Sequence, residues 1–257
     1  QFLTSKTTQM KIYQLIIIFF SILSCNTGEE KGYSESTAVS TLLDITDKHA
    51  LIPDETPILN LYNMKANKDH EAIYRCTYTT DKAYNPVGIC ILKSKAETDA
   101  ENTTDDVFHR EKCVLNFYEG VKQEIKQRNT ESSHDTILAH SECLKTIAME
   151  LHTLTELRYK RKFLLVYSDL SENSRIFNCY KMGNDNPELL FKKVAKVFSG
   201  TQLLPKSLTG ITIYFIYQPK DRQEDTRYQI MSDVYRRLLE ERGATVIITT
   251  TSKTLQS

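Results

Sequence analysis

Asp44 and Asp169 are the residues whose type and placement could carry chemistry. Asp44 sits at the end of the apolar run AVSTLLDI, and Asp169 follows the apolar run FLLVY, so each carboxylate falls where a buried strand would end. In open α/β sheets ligands bind outside the carboxyl ends of the strands. Two acidic side chains delivered to one such edge, with hydroxyls nearby, could bind a hard divalent cation such as Mg²⁺ through oxygen ligands. The same residue types have a plainer use, since Asp and Ser at these positions routinely cap the helix that follows.

Other chemistry has little footing. The chain has no GxSxG elbow for a hydrolase nucleophile, no Gly-rich phosphate loop and no HExxH, and His70-Glu71 lacks a second histidine. Eight glycines in 257 residues leave little backbone for cradling phosphates. The six histidines are scattered. Cys76, Cys90, Cys113, Cys143 and Cys179 form no CxxC pair, so a zinc site has no support. Cys76 and Cys90 flank a turn-rich DKAYNP centred near position 83. A symmetric hairpin there would set the two thiols opposite each other, and a cross-strand disulfide is one expectation; two small buried hydrophobes is the other.

The elements that must position the two aspartates alternate strand-like runs with helical patterns, the order of a largely parallel sheet covered by helices. The first strand is expected at Ala38 to Ile45, followed by a weak helical pattern from Pro53 to Lys68. The hairpin around Lys82 joins strands too close in sequence for a crossover, so one strand should run antiparallel. A polar stretch, KAETDAENTTDD, precedes a helix with one stripe of Val107, Val114, Tyr118, Val121 and Ile125. A second helix carries Leu144, Ile147, Ala148, Leu151 and Leu154 on one face and leads to FLLVY, a run typical of a strand covered on both sides. Asn186-Pro187 should open a helix that stops at Gly200. ITIYFIY, an amphipathic helix from Asp225 to Arg242 ended by Gly243, and the strand TVIITT complete the order, leaving TSKTLQS as a loose tail.

The start of the chain reads as a bacterial export signal. IIIFFSIL (Ile16 to Leu23) follows Lys11 and precedes Ser24-Cys25, giving a basic region, an apolar core and a small-residue cleavage site, with Met10 as the expected start. The apolar stretch spans only about a dozen residues, whereas a membrane-spanning helix needs about 20. LSC resembles the bacterial lipobox, which implies that Cys25 becomes the first mature residue and receives lipid. Several acyl chains on one cysteine would hold a bilayer firmly. The expected organisation is a signal peptide over 1–24, a flexible tether over 25–37 rich in polar residues, a folded domain over 38–251 and the tail over 252–257. Loss of the leader takes Lys6 and Lys11 and leaves 31 basic against 33 acidic residues, so no basic excess points to nucleic acid.

With these elements in place, the chain from about 38 to 251 resembles the von Willebrand factor A-like domains. KFLLVYSDLSENS is similar to the family's fourth strand and its aspartate loop, and LLDITDK to its first strand. The resemblance implies a three-layer α/β fold, mostly parallel with one antiparallel strand and helices on both faces. It also implies a metal-ion-dependent adhesion site, in which Asp44, Thr46 and Asp169 would ligate Mg²⁺ or another divalent cation and a loop hydroxyl among Ser132, Ser133 and Thr136 would complete it. The family pattern Asp-x-Ser-x-Ser reads Asp44-Ile45-Thr46-Asp47-Lys48 here. Lys48 thus replaces the second hydroxyl. An ammonium cannot ligate a cation, and it could instead occupy the metal's place as an internal positive charge, leaving a degenerate site.

The resemblance implies an interaction module, and the leader with its lipobox places that module in the cell envelope, lipid-anchored and extracytoplasmic, either periplasmic or on the cell surface. Its partner would be a protein in the envelope or outside the cell, met at the edge carrying Asp44, Thr46, Lys48 and Asp169, with Ser168, Ser171 and the residues to Ser174 beside it. Two rival readings stand: a metal-dependent hydrolase using Asp44 and Asp169, and a small-molecule-binding lipoprotein, which would need a deep cleft between two lobes.

Overall fold

Six runs rich in β-branched and aromatic residues pair into one sheet: β1 (Thr37–Asp44), β2 (Ala72–Thr79), β3 (Gly88–Leu92), β4 (Arg161–Tyr167), β5 (Ile211–Ile216) and β6 (Thr245–Thr249). In the computed structural model, which describes residues 36–46, 51–63, 69–80, 85–132, 141–181 and 187–255, the strand order is β3-β2-β1-β4-β5-β6. All neighbours are parallel except β3, which runs antiparallel to β2. The described residues belong to one unit, Ser34–Ser257.

The helices are α1 (Glu55–Asn60), α2 (Lys95–Glu101), α3 (His109–Ser132), α4 (Cys143–Glu156), α5 (Pro187–Gly200) and α6 (Arg222–Glu240), with 3-10 turns at Cys179–Lys181 and Ser252–Thr254. Strand alternation divides the interior between two faces. Ala38, Leu42, Leu164, Val166, Ile213 and Phe215 point toward α4, α5 and α6. Val39, Leu43, Tyr74, Leu165, Tyr167 and Tyr214 point toward α1 and α3. The protein is therefore a three-layer α/β domain with helices on both faces of a mostly parallel sheet.

The helical stripes explain which faces are buried. Leu144, Ile147, Ala148, Leu151 and Leu154 of α4 are all buried, as are Tyr228, Met231, Val234, Tyr235 and Leu238 of α6. In α3 the buried face is Phe117, Val121 and Ile125, with Val114 and Tyr118 at its margin. Val107 departs from the expectation: it lies before the helix and is 89% exposed. KAETDAENTTDD is likewise partly helical, because Ser94 and Glu97 form a capping box that starts α2. The tail is not loose either, since Leu255 is buried against the α1/α3 core. Asn186, the expected cap of α5, and the turn at Lys82 lie outside the described residues.

The expected disulfide needs correction. Cys76 pairs with Gly88 and Cys90 with Tyr74, which centres the hairpin on position 82. One residue of difference in the centre displaces the cysteines by two in register, and such diagonal neighbours lie about 7–8 Å apart. That exceeds what a disulfide spans without backbone movement. Both thiols are free. Cys76 is buried and Cys90 half-buried, and Cys90 meets α3 at Gly120, where a side chain would bring a Cβ within 3.3 Å of its sulfur.

Two further features hold the layers in register. Glu150, buried on α4, receives Arg75 Nε and Arg75 Nη2 from β2 at 3.2 Å each and Ser40 Oγ from β1 at 2.7 Å. At the far end of the sheet, Gly243 ends α6 with φ of +91°, and a Cβ there would lie 2.8 Å from Thr209 Oγ1. Gly243→Ala is expected to destabilise the domain by about 1 kcal/mol or slightly more through left-handed strain; a urea midpoint equal to wild type would contradict this.

Candidate functional site

Parallel pairing of β1 with β4 creates the site. Leu43 is in register with Tyr167, so the next residues, Asp44 and Ser168, emerge side by side at the carboxyl rim. The sheet order reverses between these two strands, since β2 and β3 lie on one side and β5 and β6 on the other. That is the topological switch point, where doubly wound sheets leave a crevice for ligands. Asp169 follows one position beyond Ser168 on the same rim.

Asp44 is 2% exposed, and its carboxylate is held from both sides. Its Oδ1 accepts the Thr46 backbone N–H at 3.0 Å and the Thr46 hydroxyl at 2.6 Å. Its Oδ2 accepts the Ser168 hydroxyl at 2.6 Å and the Cys143 thiol at 3.8 Å. Ser168 Oγ also accepts Leu170 N–H at 2.9 Å, which fastens the turn after β4, where Leu170 adopts φ of +57°. Asp169 Oδ1 accepts Ser171 N–H at 2.8 Å, an Asx turn of the capping kind. Ser168 and Ser171 are buried, so both shape the rim from beneath. Thr46 and Asp169 are half-buried and reach the surface.

The loop after β4 folds over the start of α4. Asn173 exchanges backbone hydrogen bonds with Ser141, and Cys179 N–H donates to Glu172 C=O at 2.8 Å. Glu142, the residue preceding α4, makes no side-chain cap. Glu172 supplies the cap from 28 positions away: its Oε2 accepts Leu144 N–H at 2.9 Å. A carboxylate at a helix N-terminus suits the helix dipole. Glu172 is nonetheless fully buried, and that desolvation pushes its carboxyl up to about 7.

Neither thiol beneath the rim, Cys143 or Cys179, is activated. Burial, with Asp44 and Glu172 beside it, holds Cys143 well above the ordinary thiol range, and burial pushes Cys179 to about 12. A nucleophilic cysteine needs the opposite shift. Among the described residues, no three His, Cys, Asp or Glu side chains are grouped to hold a metal ion. A cation at the rim would therefore depend on two carboxylates plus hydroxyl oxygens, and Asp44, Thr46 and Asp169 are of the right hard-donor chemistry for one. No protein-family model matches the chain, and no curated protein matches it either.

Lys48, Ser133, Thr136 and Cys25 lie outside the described residues. Three contributors at the rim escaped the sequence reading. Ser141 and Cys143 were readable in principle, because in a parallel α/β fold the residues just before each crossover helix return to the carboxyl rim. Tyr180 carried no such signal; it is 59% exposed, Arg227 of α6 stacks over its ring at 4.9 Å, and partial burial of the hydroxyl, with Asp169 nearby, raises its phenol.

Proposed function

We propose that this protein is a membrane-anchored, extracytoplasmic lipoprotein whose von Willebrand A-like domain binds another protein through the carboxyl rim of its sheet. The observation that carries the reading is the meeting of Asp44 and the Ser168-Asp169 turn at the switch point, built by parallel pairing of strands that stand over a hundred residues apart in the chain. Asp44, Thr46 and Asp169 would hold a divalent cation there, and an acidic group of the partner would complete its coordination. Tyr180 with Arg227 adds an exposed aromatic and guanidinium pair, the residue types that anchor protein interfaces.

Calorimetric titration tests the cation. Wild type is expected to bind one Mg²⁺ or Mn²⁺, and Asp169→Asn to weaken that binding by roughly an order of magnitude or more, since one of two carboxylates is gone. Asp44→Ala should abolish it, but that variant also strands the Thr46 and Ser168 hydroxyls, so the half-buried Asp169 gives the cleaner result. No heat from wild type would end metal-bridged recognition and metal-dependent hydrolysis together.

A further inference from the structure

The loop before α3 presents two apolar side chains to solvent and is built to do so. Val107 is 89% exposed and Phe108 62% exposed. Asn102 Nδ2 donates to Asp106 C=O at 2.9 Å while Asn102 Oδ1 accepts Asp106 N–H at 3.1 Å, and Asp106 Oδ1 accepts Phe108 N–H at 3.0 Å. Asp105 between them takes φ of +52°. A loop braced in this way does not let the pair fold inward, and no element of the described fold covers it.

Its position is set by a short chain of contacts to the place where the N-terminal segment joins the domain. Thr37, the first residue of β1, bonds His70 through Thr37 Oγ1 and His70 Nε2 at 2.8 Å. Arg110, two residues past Phe108, donates from Nη2 to His70 C=O at 2.6 Å and from Nη1 to Lys93 C=O at 2.7 Å. The exposed pair thus sits on the amino rim, and Arg110, two residues past it, is joined through His70 to the point at which the chain leaves β1 toward Cys25. The intervening Cys25 to Glu35 is eleven residues and spans at most about 40 Å even fully extended.

We infer that Val107 and Phe108 form a membrane-contact wedge, which inserts into the interfacial region of the bilayer that anchors Cys25. The inference rests on the lipoprotein reading. A short tether keeps the rim at high effective concentration over the lipid, so two side chains suffice where a free protein would need many. It would also fix the domain's orientation, with the Asp44 rim held outward.

The test uses the full chain expressed in a bacterium and reconstituted in phosphatidylethanolamine and phosphatidylglycerol vesicles; the sequence has no tryptophan. Phe108→Trp should show blue-shifted emission and lose roughly half of it to lipids brominated near the headgroup, matching insertion of about 5–10 Å. Leu189→Trp, 57% exposed at the carboxyl-rim start of α5, should show neither effect. The mass of the Cys25 peptide reads the anchor separately. Lipid on Cys25 with Trp at 108 unquenched overturns the wedge and leaves the anchor standing; no lipid on Cys25 overturns both. A shift that appears without vesicles and grows with protein concentration would assign the pair to contact between copies and would also overturn it.

Discussion

Glu150→Leu is expected to destabilise the domain by about 3 kcal/mol, the lower end of the 3–5 kcal/mol typical when one member of a buried ion pair is removed. Arg75 would lose both of its 3.2 Å contacts, and the buried Ser40 hydroxyl would lose its acceptor. The lower end applies because the Arg75 side chain keeps 14% of its surface and borders a groove of about 390 Å³ with Thr77, Val87 and Met149, through which water can reach the stranded guanidinium. Replacing all three groups together, as Ser40→Ala, Arg75→Met and Glu150→Leu, should recover most of the loss, since a buried pair exchanged for apolar side chains is often neutral or stabilising. Urea unfolding at pH 7 separates the outcomes. A triple variant no more stable than Glu150→Leu would mean that the network contributes something beyond its own satisfaction.

This network also marks a limit on what the chain reveals before its fold is known. Continuous apolar runs such as FLLVY and ITIYFIY announce central strands, because both faces are covered and most positions are apolar. The stripes of α4 and α6 are equally plain, since a 3.6-residue period leaves little ambiguity over fourteen or nineteen residues. Arg75 and Glu150 gave no signal, because each is a charged residue in a segment that also reads well as solvent-facing. Only the pairing of β1 with β2 and the docking of α4 across them turn the two charges inward.

The candidate site divides in the same way. Strand ends are visible as the last polar residue of an apolar run, so Asp44 and Asp169 could be placed on a common rim once parallel pairing was assumed. Register decides the finer arrangement. Asp44 faces Ser168, not Asp169, and a difference of one residue at a strand end changes which side chain answers the carboxylate. The hairpin teaches the same lesson: its centre at 82, not 83, is enough to part Cys76 from Cys90. Local pattern specifies faces and ends, whereas register depends on turns whose geometry the residue types leave open.

Glu172 supplies the second large effect, and its sign is opposite to that of most carboxylates. Burial raises the folded carboxyl from an ordinary 4.5 to about 7, so between those values the folded protein holds a proton that the unfolded chain has released. The contribution is therefore fully favourable below about pH 4.5, is lost as pH rises, and is gone above about 7, a change of about 3 kcal/mol. Glu172→Gln keeps an oxygen to accept Leu144 N–H while removing the titration. Wild type and Glu172→Gln should therefore have similar stability near pH 5, while at pH 8 the glutamine variant should be the more stable by about 3 kcal/mol. Other groups change stability over this range in both proteins, so the decisive quantity is the difference between them at each pH, measured by urea melts from pH 4.5 to 8. The α4 N-terminus, through Leu144 N–H, already offsets part of the desolvation within that net shift. A difference that stays constant with pH would show that Glu172 remains ionised throughout, with the helix N-terminus outweighing its burial.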